Sequence, residues 1–328
     1  MKNIIIIFSL IFAFTSCTKL DPNVDGNLVA KTVDEDSSLP NIKLSSTMLH
    51  CQTFGNKINP KIFILEGGPG NDFRYLLDLN KNVGGWSLLQ NYQVIYHDYR
   101  GSGLSKRHPT SELTMANSLK DLEELIDNFA PNQKVILIGH SQGGTYACQY
   151  LNKHPDRVKG VVFIEPGPFS SEINKKTPSP TAVNYFAADI NQVLWIKQLI
   201  GMDNHPKADY LFGLLQANVN LSTSRGQSCP TNYYRAGAAA ALAIAFSDGE
   251  VSKGTYDFTT NLPNYFKKVL FISSDQSTDL GFDFQQLNQA TIFPNYEHKK
   301  VIGTGHQGLI NCRTDETLNY IKNYVSGL

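Results

Sequence analysis

The segment Gly139-His140-Ser141-Gln142-Gly143 sets a serine between two glycines in the pattern G-x-S-x-G. Such a serine suits a sharp strand-to-helix reversal, where bare glycines avoid collisions and the hydroxyl is raised above the strand end. A serine hydroxyl is a weak nucleophile at neutral pH and needs a base. His306, at the end of Gly303-Thr304-Gly305-His306, lies on a glycine-flanked loop after the last predicted strand and is the expected base. The other histidines are less well set. His140 lies inside the reversal and His154 at a helix stop, and His50, His108, His205 and His298 lack such a setting; His97, at a strand end, is the rival. The imidazole in turn needs an orienting carboxylate. Asp275 and Asp279 both follow the strand that ends at Ile272, and either could serve; Asp275, nearer the strand end, is the first choice. Charge building on a carbonyl oxygen needs amide donors. The N–H of Gln142, next after the serine, is one; the loop Gly67-Gly68-Pro69-Gly70, with Gly68, is the other source. These residues together describe attack on a carbonyl through an acyl-enzyme, chemistry that needs neither metal nor organic cofactor.

Elements that could position them are legible as short continuous apolar runs. Lys61–Leu65 leads into Glu66-Gly67-Gly68, Tyr92–Tyr96 into His97-Asp98, Lys134–Ile138 into the serine motif, and Lys159–Ile164 into Glu165-Pro166-Gly167. Runs that do not alternate are the mark of strands buried on both faces. Between them Leu119, Leu122, Leu125, Ile126 and Phe129 share a helical face, and Gln142–Lys153 reads as a second helix closed before Pro155. Strand and helix in alternation predict a parallel sheet with helical crossovers. The rhythm stops between Ser170 and Pro263, a stretch without β-rich runs in which Arg235–Phe246 reads as a small-residue helix. Lys268–Ile272 resumes the sheet, a last strand is predicted near His298–Ile302, and Thr314–Val325 should close the fold as a helix. A weakly alternating stretch from Ile42 to Phe54 suggests an edge hairpin.

Composition narrows the classes. With 41% hydrophobic and 18% charged residues, the 328-residue chain can bury a sizeable core rather than remain disordered. Lys plus Arg and Asp plus Glu are both 29, so the basic excess of a nucleic-acid binder is missing. No apolar run is long enough for an ordinary membrane-spanning helix. Residues 1–16 read as a signal peptide, with Lys2 ahead of the apolar stretch Ile4–Phe14. That stretch would span roughly 16 Å as a helix, half a hydrocarbon core. It runs through Thr15 and Ser16 into Cys17, which resembles a bacterial lipobox whose cysteine is lipidated; an ordinary cleaved leader is the alternative. The expected address is therefore outside the cytoplasm, on a bacterial membrane through a lipid anchor. Residues 17–41 are polar and read as a tether. Cys51, Cys148, Cys229 and Cys312 allow two disulfides in three connectivities, or buried free thiols. None sits in a C-x-x-C pair, and no zinc spacing is present.

Gly67-Gly68-Pro69-Gly70, Asp98-Tyr99-Arg100-Gly101-Ser102-Gly103-Leu104-Ser105 and Gly139-His140-Ser141-Gln142-Gly143-Gly144, supported by Gly305-His306, resemble the proline iminopeptidase branch of the α/β-hydrolase family. The resemblance implies an α/β-hydrolase fold, a mostly parallel sheet flanked by helices. Its core would occupy residues 42–169 and 263–328, with an inserted helical cap over 170–262. It implies a serine hydrolase acting on short peptides or amides at the N-terminal residue, with carboxylic ester hydrolysis as the alternative. A non-catalytic surface lipoprotein that keeps the fold as a binding module is the alternative of another class, and Ser141 and His306 standing in their motifs argue against it. Relatives of this fold that hydrolyse epoxides or remove halogen use an aspartate nucleophile, so Ser141 argues against both. The chain departs from the family in two places. Glu66 stands where His usually precedes the glycine loop, and the acid loop lacks the usual Gly-x-x-Asp, which leaves Asp275 and Asp279 both open. An ammonium-binding carboxylate for a peptide substrate could come from Glu66, Glu165, Asp203, Asp209, Asp248 or Glu250.

Overall fold

A computed structural model describes residues 27–178, 204–219, 226–229 and 232–328. The expected signal peptide, Cys17 and the first part of the expected tether lie outside the described residues. Among the described residues eight strands form one sheet in the order β1-β2-β4-β3-β5-β6-β7-β8. β1 (Asn41–Lys43) and β2 (Met48–Phe54) form the edge hairpin, and β2 pairs antiparallel with β4 (Gln93–His97). The remaining pairs are parallel: β4 with β3 (Lys61–Leu65), β3 with β5 (Val135–His140), then β6 (Val158–Ile164), β7 (Val269–Ser274) and β8 (Tyr296–Val301).

The continuous apolar runs become two-faced strands because alternate side chains enter two separate cores. Phe63, Leu65, Leu137, Phe163 and Phe271 pack on one face against Leu119, Leu122, Leu125 and Ile126 of α1 (Met115–Phe129) and Tyr146, Ala147 and Leu151 of α2 (Gln142–Lys153). Ile62, Ile64, Ile138, Ile164 and Ile272 pack on the other against Phe73, Leu76, Leu318 and Ile321. α1 begins where Thr114 Oγ1 accepts the Asn117 amide and stops before Pro131. All six parallel strands end on the same side of the sheet, so the loops after β3, β5, β6 and β8 share one rim.

Between β6 and β7 the described residues form helix and loop with no named strand, including α3 (His205–Val219) and α4 (Ala238–Leu242). α4 starts later than the small-residue run suggests, because the backbone just before it is bound to the core. The amides of Tyr234 and Arg235 donate to Asp72, and Gly237 N–H donates to Gly70 O at 2.8 Å. It then widens into a π turn over Ala243–Ser247. Asp209 on α3 ties this insertion down, accepting from Arg107 of the core at 2.9 Å and from Arg235 at 2.8 Å. Beyond β7 come α5 (Phe282–Asn288), α6 (Gly308–Asn311) and α7 (Thr314–Val325).

The end of the expected tether is not a free linker. Thr32 and Val33 are buried, Val33 N–H donates to Leu104 O at 2.8 Å, and Ala30 O accepts from Arg235 at 2.7 Å. Its polar composition concealed this docking because the bonds run through backbone groups, which every residue type carries. Of the cysteines, Cys229 and Cys312 form a disulfide, while Cys51 and Cys148 are free and buried.

Candidate active site

β5 delivers His140 and the reversal begins at Ser141, whose φ of 53° and ψ of −124° lie in a region that non-glycine residues rarely occupy. Glycine is required on both sides. A Cβ on Gly139 would stand 2.4 Å from Gly143 O, and one on Gly143 would stand 2.1 Å from Leu65 O. The turn is pinned by Ser141 N–H donating to Ile164 O and by Ser141 O accepting from Gly144 and Gly167 amides. Gln142 opens α2, so its amide is one of the first-turn N–H groups that have no partner within the helix.

His306 lies on the loop after β8 and is fully buried. Its Nδ1 faces a carboxylate at 3.0 Å, and that carboxylate is Glu165. This corrects the expectation for the acid. Asp275 accepts from the amides of Gly303 and Thr304 at 2.9 and 3.3 Å; it braces the backbone of the His306 loop and does not touch the ring. Asp279 accepts from Ser277 Oγ and from its neighbour's amide at Leu280, and likewise does not meet His306. Glu165 follows β6 directly, one strand earlier in the chain than expected, at a φ of 40°. Its other oxygen accepts from Ser274 Oγ at 2.6 Å and Ser274 N–H at 2.8 Å. Burial pushes this carboxyl up, but the bonds from His306 and Ser274 outweigh it and hold the group below the ordinary glutamate range. It therefore stays ionised and fixes the proton of His306 on Nδ1. His306 Nε2 is buried and makes no hydrogen bond in this structure, which leaves it an acceptor. Bonds between nucleophile and base are often loose until substrate arrives.

The loop Glu66-Gly67-Gly68-Pro69-Gly70, with a cis Gly68–Pro69 bond, borders Ser141. A Cβ on Gly67 would lie 2.9 Å from Ser141 Cβ, and one on Gly68 would lie 3.4 Å from Gln142 Oε1. Gly67 N–H is turned onto Tyr75 Oη at 2.8 Å, so Gly68 is the loop's next amide toward Gln142. Glu66 is sealed behind this loop. Its Oε1 accepts from Tyr99 N–H, its Oε2 has no partner, and burial, then the charges of Asp98 and Asp72, push its carboxyl well above the usual range. It is a fully buried acid that meets no cation among the described residues. The rival base His97 has neither ring nitrogen partnered, and burial pushes it down to about 4 against the pull of Asp98. Arg100 is held by Asp121 through two bonds of 2.6 Å and serves the turn's structure.

The segment 226–229 lies on the His306 loop. Gly305 N–H donates to Gln227 O at 2.8 Å, and the Cys229–Cys312 bond fastens this segment to the end of α6. Among the described residues no group of three His, Cys, Asp or Glu side chains could hold a metal ion. No described helix is long and apolar enough to cross a membrane.

A family model described as alpha/beta hydrolase fold matches residues 60–311. The chain belongs to the α/β-hydrolase fold family. Over 107 residues it is 35% identical to a proline iminopeptidase of Saccharolobus solfataricus, a match covering 32% of each chain. Over 173 residues it is 29% identical to a cis-3-alkyl-4-alkyloxetan-2-one decarboxylase of Shewanella oneidensis, covering 50% of this chain and 52% of that one. These matches thus span about a third to a half of the curated relatives. A thermophilic esterase from Thermogutta terrifontis superposes with a TM-score of 0.60 at 16% identity, covering 88% of this chain and 97% of the esterase, which speaks to the fold alone.

Proposed function

We propose that the protein is a serine hydrolase in which Ser141, His306 and Glu165 act as nucleophile, base and orienting acid. The observation that carries this reading is the His306 ring, bound at Nδ1 by an ionised buried carboxylate and without any partner at Nε2. In the proposed reaction Ser141 Oγ bonds to the substrate carbonyl carbon as its proton passes to His306 Nε2. The amides of Gln142 and Gly68 receive the charge on the carbonyl oxygen. His306 returns the proton to the leaving alcohol or amine as that bond breaks and an acyl-Ser141 remains. Water then adds to the acyl carbon, giving its proton to His306, and the carboxylic acid leaves with Ser141 restored. A fluorophosphonate should label wild-type protein at Ser141 and leave Ser141→Ala unlabelled; an unlabelled wild type would favour a binding module on the same fold.

The carbonyl substrate proposed first is a carboxylic ester. Capture of a free ammonium needs an ionised acid with capacity to spare. Of the six acids named from the sequence, Glu66 is sealed behind the glycine loop, where burial disfavours its charge, Glu165 serves His306, and Asp209 binds two arginines and the Ala238 amide. Asp248 caps Glu250 and Val251 and accepts from Met115 N–H, and Glu250 is exposed. Asp203 lies outside the described residues. The partial similarity to proline iminopeptidase favours the second reading, cleavage of an N-terminal residue from short peptides. Rates on a peptide amide and on its N-acetyl form separate the two, since an aminopeptidase should lose most of its kcat/KM when the amine is blocked.

Export with a lipid on Cys17 is part of the proposal. The leader sequence supports it, and so does the Cys229–Cys312 disulfide, a bond that persists in oxidising compartments.

A further inference from the structure

Three hydrogen bonds join the two loops that must cooperate in this site. Gly67 N–H lies 2.8 Å from Tyr75 Oη, Tyr75 Oη lies 2.8 Å from His140 Nδ1, and His140 Nε2 lies 3.2 Å from the backbone oxygen of His306. The ends of this chain fix its direction. An amide only donates and a carbonyl only accepts. With a neutral His140 ring, Tyr75 Oη accepts from Gly67 and gives its own proton to His140 Nδ1, and His140 Nε2–H donates to His306 O. A single neutral tautomer of His140 satisfies all three bonds. Both side chains are buried, at 4% and 1% exposure, and burial pushes the Tyr75 phenol well above its ordinary range, so its proton stays in place. The His140 and His306 rings lie 4.6 Å apart, and His140 adjoins Ser141 in the chain.

We propose that Tyr75 and His140 are positioning residues that lock the oxyanion loop at Gly67 to the backbone of the base at His306, with Ser141 held between them. The proposal rests on the serine-hydrolase reading. Neither residue touches the reacting atoms. Their work is to set the distance between the Gly68 amide and His306 Nε2, which must act on opposite sides of the same carbonyl. A tyrosine and a histidine that only filled the core would not need their polar atoms aligned in one unbroken line of donors and acceptors.

Tyr75→Phe keeps the ring and removes the link. With full-length protein and an activated ester, kcat should fall roughly 10- to 100-fold with KM changed less than about threefold, since misplacement near 1 Å costs about that much. The circular dichroism spectrum should be unchanged. His140→Gln retains a donor toward His306 O and breaks the bond to Tyr75, so it should lose kcat similarly and serves if Tyr75→Phe does not fold. In the double variant the losses should not add, because one chain is cut twice. Wild-type kcat in either folded variant, loss confined to KM, or fully additive losses would overturn the positioning role. Fluorophosphonate labelling distinguishes this from failure of the underlying reading. Wild type that does not label at Ser141 sinks both, while labelled wild type with unaffected variants sinks only the positioning.

Discussion

Replacement of Glu165 by glutamine probes the site where its charge is most exposed to contradiction. In the wild type one carboxylate oxygen accepts from His306 Nδ1 and the other from both the amide and hydroxyl of Ser274. A glutamine has one acceptor oxygen and one amide donor for these places. If the oxygen faces His306, the NH2 group is pushed against the Ser274 N–H, which cannot reverse its role. If the oxygen faces Ser274, the NH2 points at His306 Nδ1 and drives the proton to Nε2, where it blocks acceptance from Ser141. The Ser274 amide thus selects the wrong tautomer. In a histidine-based triad the amide replacement of the acid costs about 10⁴ in kcat. That is about 5 kcal/mol of transition-state stabilisation. Asp275→Asn should cost less than about tenfold, because an asparagine oxygen can still accept from Gly303 and Thr304. The assay is steady-state hydrolysis of an activated ester, with the thermal midpoint measured in parallel. A Glu165→Gln enzyme within tenfold of wild type, or an Asp275→Asn enzyme that is the more damaged of the two, would refute the assignment.

Ser141→Ala should keep the fold and lower turnover at least about a thousandfold, since triad members act as a unit; unchanged turnover would remove Ser141 from the mechanism. Cys229→Ser should lower stability by about 2–5 kcal/mol in denaturant unfolding, and should lower kcat as well, because segment 226–229 braces the His306 loop; a wild-type midpoint would sink this. Asp72 is pushed up to about 7 by burial and by the charge of Asp98. The native state then holds a proton that the unfolded chain releases near 4, so this group makes stability fall as pH rises from about 4 to about 7. Asp72→Asn should flatten that slope in denaturant titrations, and an unaltered slope would exclude Asp72 as its source. Cys17→Ser should leave a chain that partitions to the aqueous phase in detergent separation; wild type without lipid by N-terminal mass spectrometry would end the anchor proposal.

The sheet was legible because its signal is local and redundant. Lys61–Leu65 and Lys134–Ile138 announce strands by unbroken apolar character, and the glycines around Ser141 report a turn that other residues could not make. The pairing at the site was less legible, since it depends on which strand ends meet. β6 and β7 are neighbours, so an acid leaving either one lies near the same rim. From the sequence alone the aspartates after the strand ending at Ile272 are preferred, Asp275 first because it lies nearer that strand end. The signal for Glu165 was present in equal measure: an acid immediately at the end of a buried apolar run, with no spacer. The deciding fact is Ser274, which ends β7 and donates twice to Glu165. Those bonds lower the cost of an ionised carboxylate in a fully buried place, and Asp275, one residue farther on, is exposed and already turned to the amides of Gly303 and Thr304. The chain thus spends both acids on one histidine, Glu165 on its ring and Asp275 on the loop that carries it, a division of labour visible only once the strands are side by side.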